Sequence, residues 1–360
     1  MSALDILYFI LGLVALVAGA EALVRGASRL ALAVGVSPLV VGLTIVAYGT
    51  SAPEIAVSVD GVLGGRSDIA IGNVVGSNIF NILLILGVSA MIRPLIVHRQ
   101  IIRQEVPIMF GASVLFVLFA LDGGIQRYEA GMFVALLVGY TFFLIRQSRA
   151  ETKAGTADDG DLPKPTSTWD RHWSVQTLLI LAGLGLLILG SHLLVEAATS
   201  IARAFGVSDL IIGLTIVAAG TSLPEVATSI TAAIRGQRDI AVGNVIGSNT
   251  FNILGGLGAS GLVATGGLDV APSVLAFDMW FMVAVAVTTL PIFIPGREIT
   301  RWNGALLFFY YLVYTVYLVL DATDHDGLAT FSTVMLSVIA PLTVITLVAS
   351  LIRAKPLATT

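Results

Sequence analysis

Two acidic residues lie where acids are costly. Glu54 and Glu225 each fall about fifteen residues into a long apolar run, and a lone ionised carboxylate at that depth in a membrane costs several kcal/mol. Each ends the same hexapeptide, Gly49-Thr-Ser-Ala-Pro-Glu54 and Gly220-Thr-Ser-Leu-Pro-Glu225. Proline lacks an amide donor and clashes with the carbonyl of the preceding turn, so a helix is expected to break at Pro53 and Pro224. Carbonyls freed at mid-membrane are tolerated only where protein or a hydrated cavity satisfies them. Thr50, Ser51, Thr221 and Ser222 add hydroxyls beside the two carboxylates.

A second pair of motifs supplies a facing wall. Asn73, Ser77 and Asn81, and likewise Asn244, Ser248 and Asn252, recur at four-residue steps and so line one side of a helix. Every candidate ligand is an oxygen. Such a cage suits a hard cation, Ca²⁺ taking 6–8 oxygens at about 2.3–2.6 Å, whereas zinc or copper favours imidazole or thiolate. His98, His172, His192 and His325 all lie outside the motifs, and the chain has no Cys. The formal −2 of the two Glu is balanced by one Ca²⁺ or by two monovalent ions, so one site can hold either in turn.

The elements that carry these residues are membrane helices. Hydrophobic residues make up 56% of the 360 and charged residues 12%, against roughly 25% charge in ordinary soluble domains, and mean hydropathy is +0.95. A net charge of −4 with 19 scattered Lys and Arg leaves no footprint for nucleic acid. A span needs about 20 apolar residues. That criterion gives five runs near Ile6–Arg29, Leu39–Leu63, Ile69–Met91, Val106–Leu121 and Tyr128–Ile145. Five more follow near Val175–Ala202, Leu210–Ile234, Ile240–Val263, Val274–Ile294 and Trp302–Leu320, with an eleventh near Leu328–Ile352. The first run reads as a retained helix rather than a cleaved leader, with no basic residue before it. The polar stretch around Asp158, Asp159, Asp161, Pro163 and Pro165 reads as an exposed linker.

The motifs belong to a duplication. Gly72-Asn-Val-Val-Gly-Ser-Asn78 returns as Gly243-Asn-Val-Ile-Gly-Ser-Asn249, and the offset of 171 holds without a gap from Gly35/Gly206 to Ile82/Ile253, with about 30 of the 48 aligned positions identical. Five spans separate corresponding residues, an odd number, so the copies enter the membrane in opposite directions, the plan of inverted-repeat transporters. The expected fold is therefore an all-α polytopic membrane protein. It has two inverted five-helix repeats (1–147 and 174–321) with broken second and seventh helices, a cytoplasmic linker at 148–173, and one extra C-terminal helix at 328–353. An external N-terminus puts about 16 of the 19 Lys and Arg inside, leaving Arg66, Arg127 and Arg203 outside. The positive-inside rule then sets the C-terminus in the cytoplasm.

GTSAPE with GNVVGSNIFN and GTSLPE with GNVIGSNTFN resemble the paired alpha repeats of the cation/calcium antiporter superfamily, particularly its prokaryotic sodium/calcium exchanger branch. The resemblance implies Ca²⁺ and Na⁺ as transported ions, no cofactor, no obligate protein partner, and a prokaryotic inner membrane as the location. It also implies a ligand set of Thr50, Ser51, Glu54, Ser77, Asn81, Thr221, Ser222, Glu225, Ser248 and Asn252, with backbone carbonyls around Ala47 and Ala218. Several family members carry Asp at the position of Asn252; Asn there argues against potassium co-transport.

Other readings fit less well. A structural ion pair would need Lys or Arg near either motif, and none is there. An enzyme would need a base for Ser51 beyond Glu54, and no His lies in the repeats to complete a triad. Paired carboxylates on pseudo-symmetric broken helices suit alternating access better than the filter carbonyls of a channel. Exchange of Ca²⁺ for H⁺ is the nearest alternative, since two buried carboxylates could carry protons without any change in the cage. Asn73 and Asn244 read as interhelical hydrogen-bonding residues rather than ligands, and Glu21 with Arg25 as an i,i+4 pair.

Overall fold

The computed structural model describes residues 3–153, 172–206, 212, 216 and 218–353; most of the expected linker and the start of the seventh span lie outside these. The first repeat comprises α1 (Ala3–Val34), α2 (Pro38–Thr50), α3 (Ala52–Leu63), α4 (Ser67–Ile92), α5 (Ile101–Ala120) and α6 (Arg127–Lys153). The second comprises α7 (Trp173–Ala204), α8 (Ala218–Gly220), α9 (Leu223–Ile234), α10 (238–263), α11 (Val274–Phe293) and α12 (Arg301–Ala322). A final helix, α13, covers Leu328–Ala349. Eight of these helices are long and apolar enough to cross a membrane, and the bent pair α2/α3 makes a ninth. Polar α10 falls short of that test, but its residues 240–250 are all buried, so it lies within the bundle rather than against lipid. Helix α6 runs on to Lys153, six residues past the expected repeat boundary at 147.

Burial separates core from periphery. In its most apolar stretch α4 is 72% buried, whereas α12 is 11% and α13 0% buried. Helix α13 touches the bundle through Leu347, which packs against the core, and through Thr343, which accepts a hydrogen bond from Tyr310 at 2.5 Å. Ile71, Ile79, Ile82, Ile85 and Leu86 make α4 the buried axis of the first repeat, as Ile240, Val245, Ile246 and Ile253 make α10 that of the second.

The two-fold relation shows in how equivalent elements meet. Helices α1 and α7 pack antiparallel on glycines, Gly12 facing Gly190 and Gly19 facing Gly183, where an added Cβ would lie 2.8–2.9 Å from the partner's carbonyl. Only small residues allow backbones so close. Both helices end on a glycine in the left-handed region, Gly35 (φ 64°) and Gly206 (φ 78°), the usual way to stop a helix and redirect the chain. At the loops, Leu95–Ile96 pairs with Glu298–Ile299 and Gly124–Ile125 with Leu268–Asp269, each antiparallel. Each short ladder thus joins one repeat to the other.

Candidate cation site

The second span breaks at Ser51, two residues before the expected proline, with a bend of 42°. Pro53 instead opens α3, where its missing N–H would have no intrahelical partner anyway. The seventh span repeats this: Ser222 (φ −88°, ψ 6°) stands before α9, and Pro224 lies in the opening turn. Glu54 and Glu225 consequently occupy the first turns of α3 and α9, where the unpaired amides of a helix start favour negative charge. They are 2% and 0% exposed.

The hydroxyls cross between repeats. Ser51 Oγ donates to Glu225 Oε1 at 2.8 Å, and Ser222 Oγ donates to Glu54 Oε1 at 2.8 Å; Ser222 Oγ also lies 3.4 Å from Ser77 Oγ. The two carboxylates therefore share one interior locus. Their other oxygens, Glu54 Oε2 and Glu225 Oε2, are buried without a hydrogen-bond partner, and so are Asn81 Oδ1, Asn252 Oδ1, Ser248 Oγ and Thr221 Oγ1. Buried polar atoms are rarely left unpaired, and each unmet one costs about 1–3 kcal/mol. A concentration of orphaned acceptors around two carboxylates is the donor set a desolvated cation requires. Among the described residues no group of three or more His, Cys, Asp or Glu is placed to hold a metal, so the charge available is that of two Glu, the rest being neutral oxygen.

The asparagines divide by role. Asn81 Nδ2 donates to Asn249 Oδ1 at 2.9 Å and Asn252 Nδ2 to Asn78 Oδ1 at 3.5 Å, while Asn249 Nδ2 donates to Asn78 O at 3.2 Å. With their nitrogens committed, Asn81 and Asn252 turn carbonyl oxygens elsewhere. Asn78 and Asn249, which the spacing argument passed over, tie α4 to α10; their place in both copies of the Gly-Ser-Asn motif was the available signal. Asn73 behaves as an interhelical tie, its Nδ2 donating to Glu54 O at 2.9 Å and Ser58 Oγ at 3.0 Å. Asn244 does likewise with Ser229 at 2.9 Å, and its Oδ1 lies 3.2 Å from Thr50 Oγ1. Just after α2 begins its last turn, Ala47 O accepts from Ser51 N at 3.0 Å, while Ala218 opens α8. One contribution from α7 was unforeseen: Ser191 Oγ donates to Gly220 O at the break.

Comparison with known proteins bears on this arrangement. The family model described as sodium/calcium exchanger protein matches residues 4–146 and 175–320. The chain belongs to that family. It is 38% identical over 280 residues to the inner membrane protein YrbG of Escherichia coli, covering 77% of this chain and 85% of that one. It is 34% identical over 349 residues to the sodium/calcium exchanger MaX1 of Methanosarcina acetivorans, covering 88% and 99%. Its fold is similar to the sodium-calcium exchanger NCX_Mj soaked with 10 mM Na⁺ and zero Ca²⁺, with a TM-score of 0.74, 31% identity and coverage of 87% and 98%. The protein is thus a multi-pass integral membrane protein and a cation/calcium antiporter, not an enzyme.

Proposed function

We propose that this antiporter exchanges Ca²⁺ for Na⁺ by alternating access at the locus shared by Glu54 and Glu225. The observation that carries the reading is the group of buried, unpartnered oxygens centred on two carboxylates that belong to opposite repeats. In this reading the ligands are Thr50, Ser51, Glu54, Ser77, Asn81 and the Ala47 carbonyl from the first repeat. Thr221, Ser222, Glu225, Ser248, Asn252 and the Ala218 carbonyl come from the second. One Ca²⁺ neutralises the pair; Na⁺ ions do the same in greater number, so either cargo excludes the other. Two carboxylates sharing a dry site repel, so the site favours a bound cation that offsets their charge.

Movement is assigned to the glycine-packed pair α1 and α7. Their left-handed terminal glycines Gly35 and Gly206 free them to slide past the ligand-bearing core. The N-terminus faces outside and the C-terminus the cytoplasm of a prokaryotic inner membrane, as the basic residues favour. Uptake of Ca²⁺ into liposomes tests the coupling ion. An outward Na⁺ gradient is expected to drive uptake that a proton gradient alone does not; uptake driven by protons without Na⁺ would replace sodium with H⁺ in this scheme.

A further inference from the structure

Tyr48 sits in α2 between Ala47 and Gly49, one helical turn below the break. Its ring stacks on Phe251 with centroids 4.1 Å apart and planes 16° from parallel, and Phe251 directly precedes Asn252 in α10. Its hydroxyl lies 2.6 Å from Thr141 Oγ1 of α6. Thr141 directs its own hydrogen to Leu137 O at 2.8 Å, so Tyr48 is the donor. The anchor is itself held: the neighbouring Tyr140 donates to Glu105 Oε2 at 2.6 Å, and Gln100 and Gln104 both donate to Glu105 Oε1 at 2.8 Å.

The second repeat provides an internal control. Tyr314 donates to Asp278 at 3.0 Å, as Tyr140 does to Glu105, and Thr315 directs its hydroxyl to Tyr311 O at 3.0 Å, as Thr141 does to Leu137. The duplicated Tyr-Thr pair and its carboxylate are both present. What is missing is the tyrosine that would reach them, because the position equivalent to Tyr48, 171 residues on, is Ala219.

We propose that Tyr48 is a positioning residue of the cation site, fixing the last turn of α2 against α6 and α10. The Ala47 carbonyl and the Thr50 hydroxyl then meet the ion in a preset geometry. In the second repeat the equivalent Ala219 has neither ring nor hydroxyl to make this tie, and the described contact at the end of that half-helix is the Ser191 hydrogen bond to Gly220 O. A stacked aromatic pair adds about 0.5–1.5 kcal/mol beyond its buried area, and a hydrogen bond about as much. Preset ligands bind more tightly because less order is lost on binding. The inference rests on the exchange reading above, and its test separates the two.

Y48F, T141V, T141S and the Y48F/T141V pair, with E54Q as control, are reconstituted as full chains, and KM for Ca²⁺ and maximal rate are measured in Na⁺-driven flux beside the melting temperature. Y48F and T141V are each expected to raise KM about two- to tenfold, with maximal rate and melting temperature held. The double variant matches either single one, since both remove the same bond, and T141S restores the wild-type KM. Unchanged KM in both single variants, additive effects in the pair, or a fall in melting temperature and rate with KM unmoved would each overturn the positioning role. If Y48F does not fold, the T141V and T141S comparison decides alone. Normal exchange by E54Q would instead sink the site reading itself.

Discussion

The two repeats spell their central motifs almost identically and yet stand in different surroundings. In α10, Gly243 and Gly247 are buried against α2: an added Cβ would fall 3.1 Å from Leu39 O and 2.6 Å from Leu43 O. At their counterparts in α4, Gly72 is exposed and Gly76 half-buried, and no described residue comes within 4 Å of a Cβ at either; the residues equivalent to Leu39 and Leu43, at 210 and 214, lie outside the described residues. Thr50 Oγ1 has partners and Thr221 Oγ1 has none; Ser77 lies beside Ser222 while Ser248 Oγ is unpartnered. Gly220 O is capped by Ser191, whereas the position equivalent to Ser191 is Ala20. Equal sequence in unequal packing is what alternating access demands of an inverted repeat. In the alternating-access scheme proposed above, exchanging the two environments would open the opposite face.

The comparison breaks first at the carboxylates. If Glu54 and Glu225 serve one cargo from two unequal halves, E54Q and E225Q each remove a unit of the charge that a divalent ion needs. Both are expected to lower Na⁺-driven Ca²⁺ flux at fixed pH by roughly 100- to 1,000-fold or more, since removing one member of a buried charged set costs about 3–5 kcal/mol. Monovalent movement suffers less. A large loss in only one of the two variants would mean that a single repeat binds the ion.

The glycines sharpen the contrast. G247A drives a methyl group into the backbone of Leu43, and overpacking of this kind costs about 1–3 kcal/mol, seen as a lowered melting temperature in detergent. G76A meets no described residue within 4 Å and gains helix propensity of about 0.5–1 kcal/mol, so melting is expected to be unchanged or raised. Exchange by G76A is nonetheless expected to slow, because Gly76 must take the packed position of Gly247 in the opposite state. Equal melting of the two variants would remove the asymmetry; undiminished exchange by G76A would separate it from the transport cycle.

Smaller effects belong to the neutral ligands. N81A and N252A each delete one uncharged oxygen and loosen one tie between α4 and α10. A neutral hydrogen-bonding group is worth about 0.5–1.5 kcal/mol, so Ca²⁺ affinity is expected to fall about threefold to tenfold with exchange retained. Abolished flux in either, read beside an unchanged melting temperature, would promote that asparagine to the rank of the carboxylates.

Much of this was legible in the letters. The offset of 171, the Pro-Glu pairs and the apolar runs sufficed for the inverted plan and the broken spans, because periodicity and proline chemistry are local properties. The exact point of the break was not, since proline is as well placed opening a helix as interrupting one, and Ser51 yields instead. The crossing of Ser51 to Glu225 and of Ser222 to Glu54 depends on how the repeats interlock, and the opposite states of Gly72 and Gly243 cannot be encoded by identical residues. Tyr48 was overlooked because its partners, Phe251 and Thr141, are remote in the chain. Glu21 meets Arg235, just past α9, at 2.7 Å, a contact that no helical spacing reveals.

That contact carries the last and smallest prediction. Glu21 and Ser28, seven residues apart and on one face of α1, meet the end of α9: Glu21 pairs with Arg235, and Ser28 Oγ lies 2.8 Å from Gln237 Oε1. The equivalents in the other repeat are His192, Thr199, Gly64 and Arg66. No ion pair can form between His192 and Gly64, and Thr199 Oγ1 has no hydrogen-bond partner. The Glu21–Arg235 and Ser28–Gln237 contacts therefore have no counterpart between the equivalent residues of the other repeat. Arg235 and Glu21 are 57% and 37% exposed, so water and salt screen the pair, and such bridges contribute about 0.2–1 kcal/mol, at most about a fivefold shift between two states. The sequence has no Cys, which makes a single Gly72→Cys a clean reporter of access to exposed Gly72. In that background E21Q or R235Q is expected to slow labelling by a membrane-impermeant thiol reagent up to about fivefold, with the double variant no slower than either alone. The exchanged pair E21R/R235E restores the rate, and raising salt in the parent reproduces part of the loss. Labelling that ignores all of these changes would show that the contact does not bias the two states, leaving glycine packing as the source of the asymmetry.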